Sequence, residues 1–379
     1  MTNITQRLIE LAIQIQQIPA PTFHEQARAE FVRGLFEREG LSDVTIDEAG
    51  NVYGRWTAKD GQQMIQSGKW KAESKPLIIS AHLDTVFPLE MDLSVQREKD
   101  KIYGIGIGDN SMGVAALFGL LWMLRERNAH SIRDIWLVAN TAEEGLGDLR
   151  GMKAVVDRFG SDALAYLVLE GLALGHVYHR AVGVRRYRIS AQTQGGHAWS
   201  DFGQPSAVVE LAKLVVQLAA LKLPSKPRTT INVGKIQGGT SINTIPAEAW
   251  LELDLRSEGQ AELAKLIAGV ERLIEAANSF GVRVEAEVIG SRPAGSLPAE
   301  HPLVRLAQKC LAEQGIEPVL TAGSTDANVP LSRGYPALVL GVTQGGGAHT
   351  KNEFIETGFV EKGMEGLVRF VESVIGKQG

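Results

Sequence analysis

The apolar run IWLVA, residues 135–139, leads directly into the polar stretch NTAEEGLGDLRG, residues 140–151. Five consecutive apolar residues predict a strand that is buried on both faces, as in a parallel sheet. Because successive side chains of an extended chain point to opposite sides, Glu143 and Glu144 are expected to face different directions. One carboxylate could then bind a cation while the other faces a substrate. A solvated acidic loop is the common alternative, so matching ligand groups must be found elsewhere in the chain.

Two other predicted strands end in groups that can bind a metal ion. Residues 76–81 lead to His82 and Asp84, and residues 165–169 end on Glu170. Asp84 could accept a hydrogen bond from the His82 imidazole, which would fix its tautomer and leave the other ring nitrogen for a metal. Proteins of the α/β class place ligand groups at such strand ends. A purely structural histidine explains the His-Leu-Asp tripeptide equally well.

The glycine-rich stretch GIGIGDNSMG, residues 104–113, precedes an apolar helical pattern at residues 114–124. A dinucleotide-binding loop ranks second here, because the spacing is G-x-G-x-G and the acidic residue expected about 20 positions on is available only as Glu126, in the charged tail of the helix. Ser111 does not lie in a nucleophile elbow, which would need glycine in place of Asp109. The preferred interpretation is a tight turn beside a cation, with Asp109 bridging two metals at the helix start. A helix-capping role for Asp109 is compatible with it.

A second glycine-rich stretch, GGGAHT at residues 345–350, comes before the last predicted helix, residues 360–375. Glycines beside a histidine permit close backbone approach, which suits His349 as a further metal ligand. A surface loop with an idle histidine is the alternative. The polar residues 58–74 are predicted to be a surface excursion.

Composition and charge exclude several classes of protein. The chain has 379 residues, 44% of them hydrophobic, which is too long for one ordinary core and too apolar for disorder. A formal net charge of -5, from 39 basic and 44 acidic residues, gives no basis for binding nucleic acid or an anionic membrane. With no export signal and no run near the roughly 20 apolar residues of a membrane span, we expect a cytoplasmic protein. The single cysteine, Cys310, excludes an internal disulfide and is expected to pack in the core.

The hydrophobic pattern changes at about residue 182, which predicts an inserted domain. Residues 186–192 alternate like a half-exposed antiparallel strand. Further strands are predicted at 230–234, 250–255 and 282–289, and helices at 207–221 and 260–279. This order, β-α-β-β-α-β, is that of the ferredoxin-like unit. The expected organisation is therefore a catalytic domain formed by residues 1–181 and 292–379, with an inserted domain at 182–291.

Taken together, these residues resemble the M20 metallopeptidases and deacylases. That family includes glutamate carboxypeptidases, succinyl-diaminopimelate desuccinylase, acetylornithine deacetylase, aminoacylases and peptidase T. The resemblance extends over nearly the whole chain in the right order. It implies an α/β fold, with a zinc-peptidase-like three-layer catalytic domain and an inserted ferredoxin-like α+β domain that serves as a lid and in dimerisation. It also implies two Zn²⁺ per chain, for which Co²⁺ or Mn²⁺ could substitute, and a homodimer formed through the lid.

The resemblance also implies roles for individual residues. The five metal ligands would form two overlapping sets, His82 with Asp109 and Glu170, and Asp109 with Glu144 and His349. Glu143 would be the general base, with Asp84 assisting catalysis beside His82. His197, in the sequence Gly-Gly-His-Ala, would be the lid histidine that polarises the scissile carbonyl, often from the second subunit of a dimer. Asn243 and Arg256 would contact the substrate.

Elementary chemistry agrees with these roles. Imidazole and carboxylate ligands suit zinc, and two such ions about 3.5–4 Å apart can polarise a carbonyl group. Arg256 could pair with a substrate carboxylate, although an ion pair with Asp254 is the alternative. Two features depart from the family pattern. Ser111 stands where a lysine is common, and the bulky WSDF at residues 199–202 replaces a turn of small residues.

The sequence therefore predicts a dinuclear zinc-dependent hydrolase that cleaves an amide bond of a small peptide or an N-acyl amino acid. Family members with glutamate at the position of Glu170 tend to be carboxypeptidases or deacylases, and those with aspartate tend to be aminopeptidases. A di- or tripeptide aminopeptidase of the same family is the alternative. A non-catalytic binding protein on the same fold is a third possibility, but it would be expected to have lost metal ligands.

Overall fold

The computed structural model describes residues 3–57, 75–129 and 131–376. The chain forms two compact units, one comprising Met1–Arg180 with Ser296–Gly379 and the other Ala181–Gly295. The predicted insert at residues 182–291 lies within the second unit. The predicted surface excursion at residues 58–74 lies outside the described residues.

The first unit is built on a mixed sheet. Its strands lie in the order Ser42–Ile46, Val52–Trp56, Ile135–Asn140, Leu77–His82, Ala165–Glu170, Ala337–Gly341 and His176–Ala181, and Val319–Gly323 pairs with the last of these. The four strands from Ile135–Asn140 to Ala337–Gly341 run parallel. All six residues of Leu77–His82 are buried, as a strand covered on both faces requires.

Helices cover this sheet and complete the predicted three-layer α/β arrangement. They are Asn3–Gln16, Gln26–Arg38, Gly113–Glu126, Arg150–Phe159, Pro302–Glu313, Asn328–Ser332 and Thr357–Ile375, with single turns at Ile107–Met112, Gly145–Gly147 and Gly160–Asp162. Cys310 is buried in one of them, as expected. The α/β fold class is confirmed.

One helical stretch is long and apolar, although no run of this kind was expected from the sequence. Ile107–Glu126 has the length and mean hydropathy, 1.3, of a membrane span. However, 89% of its most apolar 18-residue segment is buried inside the protein. Because this stretch packs against the strands Leu77–His82 and Ala165–Glu170, burial in the protein core explains its composition.

A small antiparallel sheet lies beside the main one. It consists of Gly345–Gly346, Phe354–Glu356, Lys101–Tyr103 and Gln96–Arg97, in that order. Strands of two or three residues are too short to show an alternating pattern, and none of the four is predicted from the sequence. This sheet brings the glycine-rich stretch around residue 106 next to the one around residue 347.

The second unit is a four-stranded antiparallel sheet with two helices. Its strands lie in the order Thr229–Gly238, Glu248–Ser257, Gly183–Thr193 and Val282–Arg292, and its helices are Ala207–Ala219 and Gln260–Ala276. Buried leucine, isoleucine, valine and alanine side chains from both layers form one core. The chain order is β-α-β-β-α-β, so the ferredoxin-like α+β prediction is confirmed. Two short strands, Gly196–His197 and Thr244–Ile245, pair with each other.

Candidate metal centre

Five predicted ligands meet at the carboxyl ends of the parallel strands. His82 ends one strand and Glu170 ends its neighbour, and both face Asp109. The His82 Nε2 atom lies 3.1 Å from Asp109 Oδ1 and 3.7 Å from Glu170 Oε2. The His349 Nε2 atom lies 3.0 Å from Asp109 Oδ2 and 2.9 Å from Glu144 Oε1. Asp109 therefore joins two sets of three side chains, and within each set the donor atoms lie within 4.8 Å of one another.

The carboxylates strongly favour positive charge at this point. Burial lowers the pKa of His82, but hydrogen bonds to Asp109 and other carboxylates outweigh it and raise this pKa well above its usual value. Hydrogen bonds to Asp109 and Glu144 raise the pKa of His349 to about 10. Burial raises the pKa of Asp109, but its bonds to the two histidines more than reverse the effect, so this pKa is lowered. Burial raises the pKa of Glu170.

Two cations fit this donor set. Each set offers one imidazole nitrogen and two carboxylates, which are the nitrogen and oxygen ligands that zinc prefers. Ligand atoms about 2.0–2.2 Å from a tetrahedral zinc are about 3.3–3.6 Å apart, and the distances of 2.9–3.7 Å between the ligand atoms of each set span this range. Three protein ligands per ion would leave one position open, as in catalytic zinc sites.

Glu143 lies at the same cluster. The residue is 5% exposed, and donor atoms of His82, Glu143 and Glu144 also lie within 4.8 Å of one another. The two adjacent glutamates therefore both reach the centre, but only Glu144 belongs to the pair of sets that share Asp109.

Asp84 differs from its predicted geometry. The His82 Nδ1 atom is 3.0 Å from the backbone carbonyl oxygen of Asp84 but 3.6 Å from its carboxylate. That carboxylate instead accepts hydrogen bonds from the backbone N–H groups of Glu143, at 3.0 Å, and Glu144, at 2.9 Å. It also accepts one from the Thr22 hydroxyl, at 2.9 Å. The carbonyl oxygen thus orients His82, and the carboxylate holds the Glu143–Glu144 backbone.

Two further side chains, which sequence reasoning missed, hold the residues before Glu143. Asn51 Oδ1 accepts from the Thr141 N–H at 3.0 Å, and Glu25 Oε1 accepts from the Ala142 N–H at 3.0 Å. Four successive N–H groups therefore bond to side chains rather than to a neighbouring strand. Asn51 precedes a strand and Glu25 precedes a helix, and a polar residue at such a position could have suggested a supporting role. The sequence around each residue does not indicate which N–H group it binds.

The buried side chain of Arg28 balances part of the negative charge of Asp84 and Glu25. Arg28 donates to the backbone oxygens of Leu83, at 2.7 Å, and Ile18, at 2.6 Å. Burial lowers its pKa to about 10, and the nearby charges of Asp84 and Glu25 oppose that effect. Arg28 thereby ties the N-terminal segment to the strand end that carries His82.

Asp109 is not a helix cap. The helix Gly113–Glu126 begins four residues later, and its N-terminus has no side-chain cap. The N–H groups of Gly106, Gly108 and Asp109 instead donate to the Glu353 carboxylate at 2.8–3.0 Å. A dinucleotide phosphate would need such N–H groups. Since Glu353 already occupies them, the dinucleotide-binding alternative is contradicted.

Another buried carboxyl group lies next to the strand that carries the glutamates. Asn140 Nδ2 donates to Asp326 Oδ2 at 2.7 Å. The Oδ1 atom of each residue is buried and has no hydrogen-bond partner among the described residues. Burial raises the pKa of Asp326 to about 7. Sequence reasoning missed Asp326, although it follows a predicted strand as His82 does.

The remaining predicted site residues lie in the second unit. The short strand that carries His197 pairs with Thr244–Ile245, and the Ala198 N–H donates to the Asn243 carbonyl at 2.9 Å. His197 Nδ1 accepts from the backbone N–H groups of Trp199 and Ser200 at 3.2 and 3.4 Å. The proton of a neutral imidazole is therefore on Nε2, and the side chain is exposed.

Arg256 forms the ion pair that was considered as an alternative. Its Nε atom donates to Asp254 Oδ2 at 2.7 Å, and Arg186 donates to the other oxygen of the same carboxylate at 2.9 Å. The side chain of Arg256 is nonetheless 44% exposed. Asp254 therefore fixes its direction without burying it.

The fold agrees with comparisons to known proteins. A family model described as Peptidase family M20/M25/M40 matches residues 78–373. The succinyl-diaminopimelate desuccinylase of Corynebacterium glutamicum is 23% identical over 358 residues, covering 92% of this chain and 90% of that protein. A tripeptidase structure from Staphylococcus aureus has a TM-score of 0.82 at 22% identity, and 98% of each chain is covered.

Another solved structure has a similar fold. A Bacillus subtilis protein, described as a dinuclear metal binding peptidase from the M20 family, has a TM-score of 0.69 at 15% identity, with 98% of each chain covered. The match to the family model confirms the family that the residues resemble. The chain belongs to peptidase family M20/M25/M40 and is a hydrolase that acts on peptide or amide bonds.

Proposed function

We propose that this protein is a dinuclear zinc-dependent hydrolase that cleaves the amide bond of a small peptide or an N-acyl amino acid. One observation carries the proposal: two histidines and three carboxylates from distant parts of the chain form two ligand sets that share Asp109. A binding protein on the same fold would have no need for this arrangement together with a buried Glu143 beside it.

Bound cations would supply Lewis acidity at the scissile carbonyl. The chain's own residues supply proton transfer and positioning. Glu143 takes a proton from the attacking water and passes it to the leaving amine, a contribution of about 100-fold to 10,000-fold for steps of this kind. Asp84 fixes the backbone of Glu143 through the bond at 3.0 Å. Its carbonyl oxygen directs His82 so that Nε2 faces Asp109.

The second unit is proposed to act as a lid. His197 presents an Nε2–H group, which is the donor that a polarised carbonyl oxygen would need. Asn243 is tied to the same short sheet and would contact the substrate. Arg256 retains an exposed face that could pair with a free carboxylate of the substrate.

The second unit is also proposed to form a homodimer. Its outer strand Thr229–Gly238 is an edge of the sheet, and Ile236 on it is exposed. The helix Ala207–Ala219 exposes Val209 and Val216, which lie on one face of the helix. Exposed apolar side chains beside an open sheet edge suit pairing with a second copy of the chain. A cytoplasmic location stays a prediction.

For specificity we propose carboxypeptidase or deacylase action, with Glu170 as the residue that favours it. The named desuccinylase relative is in keeping with this proposal. Aminopeptidase action on di- or tripeptides is the alternative. The test is a hydrolysis screen of dipeptides, tripeptides and N-acyl amino acids, each with the terminal carboxylate free or blocked. Carboxypeptidase or deacylase action predicts that blocking the carboxylate abolishes cleavage. Cleavage that instead requires a free amino group would favour the aminopeptidase, and the absence of any cleavage would contradict both.

A further inference from the structure

Glu353 is a buried carboxylate whose hydrogen bonds all point to one turn. Its side chain is 0% exposed. Oε1 accepts from the N–H groups of Gly108 and Asp109, both at 2.8 Å, and Oε2 accepts from Gly106 at 3.0 Å. Burying a carboxylate is costly unless hydrogen bonds replace its hydration. The three N–H donors offset part of that cost, but burial still raises the pKa of Glu353 to about 7.

The same residue belongs to the segment that carries His349. The strands Lys101–Tyr103 and Phe354–Glu356 pair antiparallel, and the Gly104 N–H donates to the Glu353 carbonyl at 3.0 Å. The two strands therefore lead side by side into the turns that bear Asp109 and His349. Glu353 closes the end of this ladder nearest the metal centre.

The turn around His349 is held together by its own backbone. The Gly347 carbonyl accepts from both the N–H and the hydroxyl of Thr350, at 3.0 and 2.6 Å. His349 has a φ of +64°, an uncommon value for a residue with a side chain, and Gly347 has +70°. A Cβ on Gly347 would lie 2.5 Å from the Asn352 carbonyl oxygen. The turn is therefore closely constrained, but the His349 side chain is 52% exposed, so packing does little to position it.

We propose that Glu353 is a positioning residue for the cation held by Asp109, Glu144 and His349. This inference rests on the proposed function. By clamping the Asp109 turn to the His349 segment, Glu353 sets the separation of the two ligands that this ion needs. The other ion shares Asp109, but its remaining ligands, His82 and Glu170, lie on strands of the central sheet. It should therefore depend less on Glu353. Loss of a residue that orients a metal ligand typically weakens metal affinity by about 10-fold to 100-fold.

The experiment compares Glu353→Gln with Glu356→Gln. Glutamine at 353 would direct an NH₂ group at an N–H donor, because both carboxylate oxygens now act as acceptors. Glu356 lies three residues later, and its carboxylate makes a partly exposed ion pair with Lys101 at 3.8 Å. Metal-free protein would be titrated with Zn²⁺ and with Co²⁺ by calorimetry, and metal content would be measured after dialysis.

We expect two ions in the wild type and in Glu356→Gln. In Glu353→Gln we expect one ion to bind with little change and the other about 10-fold to 100-fold more weakly. Excess metal should restore kcat, with KM unchanged. Equal affinities for both ions in Glu353→Gln and wild type would overturn the inference, as would a uniform loss of both ions.

One further variant, together with the wild-type measurement, keeps the result decisive. If Glu353→Gln does not fold, Glu353→Asp retains the carboxylate but shortens its reach. In that variant, selective weakening of one ion supports the inference, and wild-type affinity for both ions overturns it. If the wild type binds no metal, the proposed function itself is contradicted. If the wild type and the variant both bind two ions with the same affinities, only the role of Glu353 is contradicted.

Discussion

The Nε2 atom of His349 lies 3.0 Å from Oδ2 of Asp109, while Oδ1 of the same carboxylate lies 3.1 Å from Nε2 of His82. One carboxylate therefore faces two imidazoles that are far apart in the sequence of the first unit. The neighbouring carboxylates raise the pKa of both imidazoles, so we expect both to be protonated when no metal is bound. A pair of divalent ions would replace those protons.

The first prediction follows from the pKa of His349. This pKa is raised to about 10 by Asp109 and Glu144, whereas an ordinary histidine is largely neutral at pH 8. Since a metal binds only the neutral imidazole, cation binding at pH 8 should release protons. Calorimetry in buffers with different ionisation enthalpies measures that release. His349→Gln should reduce it, and a binding enthalpy independent of the buffer would contradict the prediction.

The same raised pKa predicts how the metal-free protein responds to pH. Because the folded pKa exceeds the ordinary value of 6.5, the stabilising charge of His349 is fully present below pH 6.5 and is lost as pH rises through about 10. In a chelating buffer, the thermal midpoint of the wild type should therefore fall relative to that of His349→Gln over this range. Parallel curves for the two proteins would show that His349 carries no such charge.

Glu143 and Glu144 are neighbours with different proposed roles, so their variants should fail differently. Glu143→Gln removes the general base and should lower kcat by about 100-fold to 10,000-fold while both ions remain bound. Glu144→Gln should instead weaken one ion. Kinetics and metal analysis on the same preparations distinguish the two outcomes. Loss of metal in Glu143→Gln would mean that Glu143 is a ligand rather than the base.

Asp84 should matter through the backbone that it holds. In Asp84→Asn, one of the N–H groups of Glu143 and Glu144 would face an amide NH₂, and leaving a buried donor unpaired costs about 1–3 kcal/mol. We expect a lower free energy of unfolding in urea and a lower kcat. Thr22→Val is the matched control, because it removes a bond to the same carboxylate but leaves both backbone bonds in place. Equal kcat in Asp84→Asn and wild type would contradict this account.

Asp326 should tolerate asparagine better than alanine. Burial raises its pKa to about 7 from an ordinary 3.8, so the folded protein favours the neutral acid, which asparagine resembles in shape. Ionisation therefore costs stability as pH rises from about 4 to about 7. The free energy of unfolding of the wild type should fall over that range relative to Asp326→Asn.

Asp326→Ala is the control for this prediction. It leaves the Asn140 amide unpaired and should cost about 1–3 kcal/mol at both ends of the pH range. Urea unfolding at pH 5 and pH 8 measures all three proteins. An Asp326→Asn variant as unstable as the alanine variant would contradict a neutral Asp326.

Site residues that directly follow a clear strand pattern could be predicted from the sequence. The apolar runs before His82, Glu144 and Glu170 indicate buried strands, and parallel strands place their ends along one edge of a sheet. The α/β class and the ferredoxin-like insert follow from the same periodicity. The resemblance to a known family added the roles that periodicity cannot assign, such as that of Glu143.

Supporting contacts could not be predicted in this way. Glu353 and Glu25 are single acidic residues in short polar segments, and their function depends on N–H groups supplied by distant parts of the chain. The His82–Asp84 pair shows a related limit. Spacing indicates that the two residues are close, but it does not distinguish the Asp84 carbonyl from its carboxylate as the partner.

The central claim is that the side chains from His82 to His349 hold two cations. Anomalous diffraction from a crystal grown with Zn²⁺, recorded on both sides of the zinc absorption edge, tests it most directly. We predict two peaks about 3.5–4 Å apart, one beside His82 and Glu170 and one beside Glu144 and His349, with Asp109 between them. A single peak, or zinc bound away from Asp109, would contradict the account.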